Sequence, residues 1–211
     1  MKEKLLSALN WRYATKKYNP TFVLEEEDKQ TLESVLQLTP TSYGLQPLHF
    51  IWINNVELRA QIQSIAWNQQ QITDASEVLI LCAKNALEPA FLDQHADHMR
   101  DTRGLKEEQI QGFRKHLHSA IGQKAIADIK NWNGKQAYIA LGQLLTACAL
   151  LELDATPMEG FDPTALDDLL QLGEEGLHSV LICTIGKRDS TDTYQSLQKV
   201  RRSKKSLFST R

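Results

Sequence analysis

Two groups of basic residues, one near each end of the chain, could together bind a phosphate group. Near the start, Arg12 and Lys16 alternate with aromatic residues in the segment WRYATKKY, residues 11–18. Near the end, Lys199 and Arg201 lie in a strongly basic tail. Guanidinium and ammonium groups suit a phosphate dianion, and the aromatic rings could flank a planar ligand. Alternatively, both segments are solvated surface and the tail is a disordered basic end.

Two turns could present backbone groups to such a ligand. Residues 40–47, PTSYGLQP, carry hydroxyl groups between two prolines, which make the loop rigid. This loop could be a simple turn, or it could offer hydroxyl and N–H groups to a ligand. The second turn, at Glu159 and Gly160, follows a short strand at 155–158. Glycine after a strand often marks a close approach of the backbone, so we expect a ligand edge there.

The histidines could also do chemistry, but their surroundings do not favour it. His95 and His98 are three residues apart and could share one face of a helix, and His116 and His118 are two apart. No set of carboxylates or cysteines accompanies either pair, so we predict no metal site. We expect His49 to be a structural histidine rather than a catalyst.

A buried helix and several strands must position these residues. Residues 137–151 are apolar except for Gly142, Gln143 and Thr146, which predicts a central helix buried on nearly every face. Two subunits could share this helix. At about 15 residues it is shorter than the roughly 20 that a bilayer requires. Apolar runs predict strands at 49–54, 78–83, 155–158 and 179–186, and amphipathic patterns predict helices at 3–10, 25–38, 56–65 and 162–173, the last ended by Gly173.

Composition and length restrict the class of protein further. The 211 residues include 26 acidic and 24 basic ones, so no overall charge draws the chain to nucleic acid or to a membrane. We expect no signal peptide and no membrane span. The three cysteines lie in apolar runs and form no CxxC pair, which favours buried, reduced thiols in a cytoplasmic protein. We predict a single domain, 1–211, with a polar helical excursion at about 88–130 that forms a mobile cover over the site.

Five short motifs follow one another along the chain in a specific order. They are Arg12-x-x-Thr15-Lys16, Pro40-Thr41-Ser42-x-x-x-Gln46-Pro47-x-His49-Phe50, Asn68 shortly before Asp74-Ala75-Ser76, Pro157-Met158-Glu159-Gly160-Phe161-Asp162, and Lys199-x-Arg201. This set resembles the FMN-dependent nitroreductase family, close to the oxygen-insensitive NAD(P)H nitroreductase and dihydropteridine reductase branch. The resemblance spans essentially the whole chain and is weakest between about 88 and 130.

The resemblance implies an α+β fold with a mixed sheet flanked by helices, an α/β/α sandwich. It further implies an intertwined homodimer with two FMN sites at the interface. The helix from residue 135 would form the dimer core, and a C-terminal arm at about 190–211 would reach the partner subunit. Arg12, Lys199 and Arg201 would hold the FMN phosphate. Lys16 would lie near the pyrimidine side of the flavin, where a cation stabilises the anionic reduced ring.

The resemblance also implies the remaining contacts of the site. Asn68 would hydrogen-bond the flavin ring, and a backbone N–H of Glu159 or Gly160 would point at flavin N5. Trp67 and Phe113 are candidates to line the acceptor pocket. The residues implied to bind the cofactor are Arg12, Tyr13, Ala14, Lys16, Asn68, Gln71, Pro157, Met158, Glu159, Gly160, Lys199 and Arg201, with Pro40, Thr41, Ser42 and Gly44 supplied by the other subunit.

The implied activity is ping-pong hydride transfer from NAD(P)H through FMN to a nitroaromatic, a quinone or a related small planar acceptor. Since FMN carries the chemistry, we nominate no acid–base residue. The chain departs from the family pattern at Tyr13, Ala14, Gly44, Leu48 and Gln71, so we expect FMN binding with an altered substrate choice. The preference between NADH and NADPH stays open, because no Rossmann-type glycine fingerprint is present.

Two other classes of function remain as alternatives. The altered loop and Gln71 leave room for a non-catalytic flavin-binding or flavin-delivery protein. The basic tail, residues 199–211, could instead contact nucleic acid, but the overall charge argues against this interpretation. We therefore expect no nucleic-acid partner.

Overall fold

The computed structural model describes all 211 residues, Met1–Arg211, and contains one four-stranded sheet. The strands are β1 (Leu48–Trp52), β2 (Glu77–Lys84), β3 (Asp154–Met158) and β4 (Leu177–Gly186). They lie in the order β1-β2-β4-β3, and every neighbouring pair is antiparallel. The α+β class is confirmed, whereas the strands of this chain form an antiparallel sheet instead of the mixed sheet that the resemblance implied.

Nine helices accompany the sheet. The long central helix, predicted from 135–137 onward, begins earlier, because its first turns are polar and give no apolar signal. The fourth and ninth helices are single turns of four residues each. The helices are α1 (Lys2–Trp11), α2 (Glu26–Gln37), α3 (Val56–Ile65), α4 (Gln71–Asp74), α5 (Pro89–Arg103), α6 (Glu107–Gly122), α7 (Ile126–Leu150), α8 (Pro163–Leu169) and α9 (Lys204–Leu207).

The core lies on both faces of the sheet. Leu79 of β2 packs in a cluster with Leu144 of α7, whereas the next residue, Ile80, packs with Ile62 of α3 and Leu166 of α8. Successive side chains of a strand point to opposite faces, so each face of β2 has its own cover of helices. Burial on both faces explains the unbroken apolar sequence of β2 without parallel pairing.

Several apolar side chains remain exposed in the single chain. No residue of α1 is buried, and Leu6 is 61% exposed. On α7, Tyr138 and Ile139 are 44% and 46% exposed. The central helix is therefore not buried on nearly every face within one chain, and part of its apolar surface has no partner there.

The predicted helical excursion consists of α5 and α6, which form a hairpin beside the start of α7. Leu92, Leu117 and Ile121 form a small buried cluster between these helices. Exposed ion pairs, among them Arg114 with Asp97 at 2.8 Å, join the two helices. The hairpin thus has its own small core, separate from the two clusters on the sheet.

One local prediction is corrected by the structure. Helix α8 ends at Leu169 instead of continuing to Gly173, because Gln171 adopts a left-handed conformation with φ 56° and the chain turns there. Gly173 lies inside the short 3₁₀ turn that follows. His49 is exposed on β1, and its structural role stays a prediction.

Three further findings concern metal binding, membrane spans and cysteines. No group of three or more His, Cys, Asp or Glu side chains is arranged to hold a metal ion. None of the helices is both long and apolar enough to span a membrane. The three cysteines, Cys82, Cys148 and Cys183, are buried free thiols, as predicted.

Candidate functional site

A cavity of about 480 Å³ lies between the segment that follows α1 and the C-terminal segment. Its lining includes four basic side chains, Arg12, Lys16, Lys199 and Arg201, and no Asp or Glu. Aromatic residues, among them Trp11, Tyr13 and Tyr194, complete the walls. We call it the cation cavity. An acid-free cavity with four cations favours a dianionic ligand with an apolar part.

Lys199 shows the strength of this electrostatic arrangement. Its Nζ donates to the backbone carbonyl of Arg12 and, at 3.2 Å, to that of Leu9, which leaves one N–H of the ammonium group for a ligand. Burial, and then the neighbouring charges of Arg12 and Arg201, lower the pKa of Lys199 below its ordinary value. Like charges held together without a counterion are unfavourable, and a bound anion would relieve this repulsion.

A buried carboxylate, Asp192, fixes the first basic segment against the C-terminal one. It accepts hydrogen bonds from the Tyr13 hydroxyl at 2.9 Å and from the N–H groups of Lys16 at 2.8 Å and Lys17 at 3.1 Å. Its second oxygen accepts the N–H of Tyr194 at 2.9 Å. Burial alone would raise the pKa of Asp192, but these hydrogen bonds outweigh it and hold the pKa below its ordinary value.

A second buried carboxylate, Asp154 at the start of β3, supports the same wall. It forms a two-pronged ion pair with Arg188, with Nη2 to Oδ1 at 2.6 Å and Nε to Oδ2 at 3.0 Å. The Arg188 guanidinium also lies 4.1 Å from the ring centroid of Trp11 and 4.5 Å from that of Tyr13. The aromatic side chains of the cavity wall are therefore held by a cation that is itself neutralised.

The end of β3 connects the cation cavity to the turn that follows. Pro157 of β3 lines both this cavity and a smaller one of about 230 Å³, which Met158 and Glu159 also line. The N–H groups of Glu159 and Gly160 donate no hydrogen bond within the chain. The Gly160 carbonyl, in contrast, accepts the Gln69 side chain at 2.9 Å. Gln69 thus holds the turn through the Gly160 carbonyl, while the N–H groups of Glu159 and Gly160 remain free to donate.

Gly160 is required by the side chain packed against it. A Cβ at this position would lie 2.6 Å from Cε3 of the Trp67 ring, closer than real contacts allow. Trp67 itself is 76% exposed. The indole therefore rests on the glycine turn with most of its surface free for another flat group.

Backbone strain concentrates in two of the loops that the sequence singled out. Six residues other than glycine have positive φ in this chain. Tyr43 and Gln46 lie in the 40–47 loop, and Trp67 and Asn68 in the loop after α3. Such conformations cost free energy and cluster at ligand sites, which marks both loops as functional candidates.

Similarity to known proteins decides the family of the chain. The Nitroreductase family matches residues 9–187, most of the sequence. The chain belongs to the nitroreductase family.

Individual nitroreductases resemble the chain over nearly its full length. The oxygen-insensitive NAD(P)H nitroreductase of Salmonella typhimurium is 31% identical over 207 residues, which cover 93% of this chain and 94% of that protein. Among solved structures, a candidate nitroreductase from Bacillus subtilis superposes with a TM-score of 0.90 at 15% identity and covers all of both chains. Another, from Exiguobacterium sibiricum in complex with FMN, has a TM-score of 0.82 at 16% identity, with 98% and 97% covered. The predicted family and fold are confirmed, and with them the prediction of an oxidoreductase enzyme.

The structure brings only part of the predicted nitroreductase site together within one chain. Trp67 lies against Gly160, and Pro157 is the residue of the segment 157–160 that lines the cation cavity. Neither Asn68 nor Gln71 lines the cation cavity, and Gln71 is buried at the start of α4. The predicted residues that line the cavity are Arg12, Tyr13, Ala14, Lys16, Pro157, Lys199 and Arg201.

The other predicted residues lie elsewhere. Pro40, Thr41, Ser42 and Gly44 do not line the cation cavity, and the Ser42 N–H donates to Gln136 of α7 at 3.0 Å. Phe113 lies in the α5–α6 hairpin, with its ring centroid 6.0 Å from that of His95. His95 in turn bonds the Tyr43 carbonyl at 3.1 Å. The roles predicted for these residues stay predictions.

Three supporting groups were missed from the sequence. Asp192 had a usable signal, because an aspartate directly before a short helix often caps it, and it does cap the 3₁₀ turn at Thr193–Ser196. The pair Asp154 and Arg188 had none, since its members lie 34 residues apart. Gln69 was one amide in a run of polar residues, with nothing to distinguish it from its neighbours.

Proposed function

We propose that the protein is an FMN-dependent NAD(P)H oxidoreductase that reduces nitroaromatics, quinones or related planar acceptors. The observation that carries this proposal is the acid-free cation cavity, which Pro157 of β3 connects to the turn with two free N–H donors. A phosphate dianion and a flat heterocycle on one ligand fit these two features together. Membership of the nitroreductase family, and a structural neighbour in complex with FMN, point to the same cofactor.

Arg12, Lys199 and Arg201 would hold the phosphate of FMN, and Lys16 would lie toward the ring. When bound, FMN would supply the redox chemistry that links oxidation of NAD(P)H to reduction of an acceptor. The cations neutralise the phosphate and disfavour other orientations of the ligand. Lys16 makes no salt bridge in the chain, so its charge is available to the reduced, anionic ring.

The glycine turn orients the ring edge. The N–H of Glu159 or Gly160 would donate to a ring nitrogen, while Gln69 keeps the turn from rotating by holding the Gly160 carbonyl. Trp67 offers an exposed aromatic face beside this edge for a planar acceptor. Asn68 adds a side-chain amide to the ring contacts, and Phe113 adds an aromatic wall from the hairpin.

The functional unit is a homodimer, in which Pro40, Thr41, Ser42 and Gly44 come from the partner subunit. The exposed apolar residues of α1 and α7 support this assembly, since a single chain leaves them without cover. A groove of about 450 Å³ also runs beside β1, which is an unpaired edge strand, and is lined by Leu36, Phe50 and Trp52. The exposed apolar residues Leu207 and Phe208 of the C-terminal arm are candidates to enter the groove of the partner.

Absorption spectroscopy of protein reconstituted with FMN tests the proposal. Anaerobic addition of NADH and then NADPH should bleach the flavin bands, and menadione should restore them with turnover. Bands that persist with both nucleotides would favour the alternative, a non-catalytic flavin-binding or flavin-delivery protein. A protein that does not take up FMN would overturn the proposal.

Sedimentation velocity tests the dimer separately. Ile139→Glu should give monomers and weaken FMN binding, because an acidic side chain would replace exposed apolar surface on α7. Val23→Glu is the matched control, since Val23 is also an exposed apolar residue but belongs to neither α1 nor α7. A dimer that survives Ile139→Glu unchanged would place the interface elsewhere.

A further inference from the structure

A second basic groove, of about 450 Å³, lies between the first half of α7 and the start of β4. Six of its lining residues, at 127, 130, 131, 134, 135 and 138, share one face of α7 at helical spacing. The opposite wall is formed by His178, Ser179 and the residue that follows them. The groove is distinct from the cation cavity, with which it shares no residue.

The charges around this groove are unbalanced. Lys130 and Lys135 line it together with His178, and no Asp or Glu does. Neither lysine forms a salt bridge with any residue of the chain. Asp167, whose charge acts on His178, already accepts the Ser179 N–H at 2.7 Å. The groove therefore has a positive potential that the protein does not itself neutralise.

One polar atom without a partner lies in the same wall. The Nδ1 atom of His178 has no hydrogen-bond partner, and burial, followed by the charge of Lys130, lowers the pKa of this histidine. Ser179 is the next residue of β4, so its side chain points to the opposite face of the sheet and its unpartnered Oγ does not serve the groove. Buried polar atoms are nearly always satisfied, so the free Nδ1 atom marks this wall as a candidate site for a polar ligand.

The groove extends away from the turn at Glu159 and Gly160, where the edge of the flavin ring is proposed to lie. Tyr138 lines both the groove and the small cavity that contains Pro157, Met158 and Glu159. Its hydroxyl donates to the Glu159 carboxylate, and burial together with this bond raises the pKa of Tyr138 to about 12. With a rise of 1.5 Å per residue, Lys135 and Lys130 lie about 5 Å and about 12 Å farther along the α7 axis than Tyr138.

We propose that this groove is an anion-binding subsite that recognises a charged group of one of the two substrates. The group is either a phosphate of the nicotinamide dinucleotide or a carboxylate of the acceptor. Lys130 and Lys135 neutralise it, and Asn131 offers a further hydrogen-bond donor. The inference rests on the proposed function, and it names the residues that would select anionic substrates at that site.

Substitution of Gly134 gives a second, independent test of the groove. It lies on the lining face of α7, and a Cβ there would meet no atom within 4 Å. A larger side chain at this position should therefore fill the groove without disturbing the helix. Gly134→Met removes space and keeps both lysines, whereas Lys130→Gln with Lys135→Gln removes charge and keeps the space.

Calorimetric titration of the FMN-saturated full-length protein with inorganic pyrophosphate tests the subsite directly. FMN occupies the cation cavity, so the remaining binding reports on the groove. The double lysine variant should weaken pyrophosphate binding about tenfold or more, through loss of two charge-assisted contacts. Gly134→Met should weaken it as well. Lys115→Gln, an exposed lysine of α6, is the matched control and should bind like the wild type.

Equal affinities for the wild type and the double lysine variant would overturn the proposal. This readout does not depend on turnover. If the protein takes up no FMN, the proposed function fails, but the difference between the two proteins in pyrophosphate binding can still be measured. The two failures are therefore distinguishable.

Anaerobic stopped-flow measurements then identify the source of the anion. If the dinucleotide supplies it, the double variant raises the apparent Kd of NADH or NADPH in flavin reduction and leaves the reoxidation constants unchanged. If the acceptor supplies it, the KM for 4-nitrobenzoate rises and that for the neutral 4-nitrobenzamide does not. Unchanged constants for both nucleotides and for 4-nitrobenzoate would contradict the subsite.

Discussion

The cation cavity and the α5–α6 hairpin are both rich in charge, but they are stabilised in opposite ways. The wall of the cavity depends on two carboxylates, Asp154 and Asp192, that are 1% and 3% exposed. The hairpin depends on a network in which the carboxylates Asp93, Asp97 and Glu107 are 44–45% exposed and share two arginines. The same residue types therefore act in the interior in one region and in solvent in the other.

This difference indicates which region has a fixed geometry and which region can rearrange. A buried carboxylate with several donors loses much free energy when a partner is removed, so it holds one geometry. Exposed pairs contribute at most about 1 kcal/mol each and tolerate rearrangement. We infer that the cavity that would hold the cofactor phosphate is rigid, and that the hairpin can adapt to different acceptors.

Removal of the Asp154 carboxylate should have the largest effect. Asp154→Ala leaves Arg188 without its partner, and breaking a buried pair in this way costs about 3–5 kcal/mol. Urea denaturation should show this loss as a lower midpoint. Asp101→Ala, which removes an exposed ion pair with Arg100, is the control and should cost less than about 1 kcal/mol. Equal losses in the two variants would remove the distinction between the regions.

Loss of a cavity cation should act mainly on the cofactor. Arg12→Gln removes a charged donor, and hydrogen bonds to charged groups contribute about 1.5–3 kcal/mol each, or roughly tenfold to a hundredfold in FMN affinity. Fluorescence titration with FMN measures this change. Arg100→Gln in the hairpin should leave FMN affinity unchanged. An equal loss for both arginines would mean that the overall field, and not the cavity, attracts the cofactor.

The sequence predicted the elements of the rigid region well and its supports poorly. Arg12, Lys16, Lys199 and Arg201 could be grouped in advance, because a phosphate site requires cations and few other residues supply them. The unbroken apolar run of β2 likewise identified its burial. Asp154 and Arg188 could not be paired, because only the antiparallel packing of β3 against β4 brings residues 34 positions apart together. Long-range contacts of this kind are set by topology.

For α7, the sequence predicted the helix itself but not how much of it is buried within one chain. Its apolar composition correctly identified a long helix, but composition cannot tell burial within a chain from burial between chains. Tyr138 and Ile139 are exposed within one subunit, so burial on nearly every face stays a prediction for the dimer. The sequence did not predict the first turns of the helix, because these turns are polar and the prediction rested on apolar residues.

Acid should destabilise the rigid region more than the hairpin. The pKa of Asp192 is lower in the folded protein than in an unfolded chain, so its stabilising effect is present above the unfolded pKa and is lost as pH falls through the folded value. Asp192→Asn should therefore flatten the acid side of the stability profile, measured by thermal unfolding between about pH 3 and pH 7, a window set by the ordinary Asp pKa.

The Asp97→Asn variant is the matched comparison for this profile. The pKa of Asp97 is also lowered, first by its hydrogen bond from Arg114, but this carboxylate is solvent-exposed and screened. Its replacement should change the acid limb less than Asp192→Asn does. A larger change for Asp97→Asn would indicate that the hairpin network, and not the buried acid, controls acid stability.

Disruption of the hairpin network should have the smallest effect on stability. Arg114→Ala removes contacts to Asp93, Asp97 and Glu107 at 2.8–3.4 Å, yet these exposed pairs together should contribute only about 1 kcal/mol. The loss should shrink further at 0.5 M salt, measured by urea denaturation, because exposed charges are screened there. FMN affinity should not change, whereas the KM for the electron acceptor should, since Phe113 precedes Arg114 on the same helix. A fall in FMN affinity with an unchanged acceptor KM would mean that the hairpin stabilises the cofactor site and that the two regions are not independent.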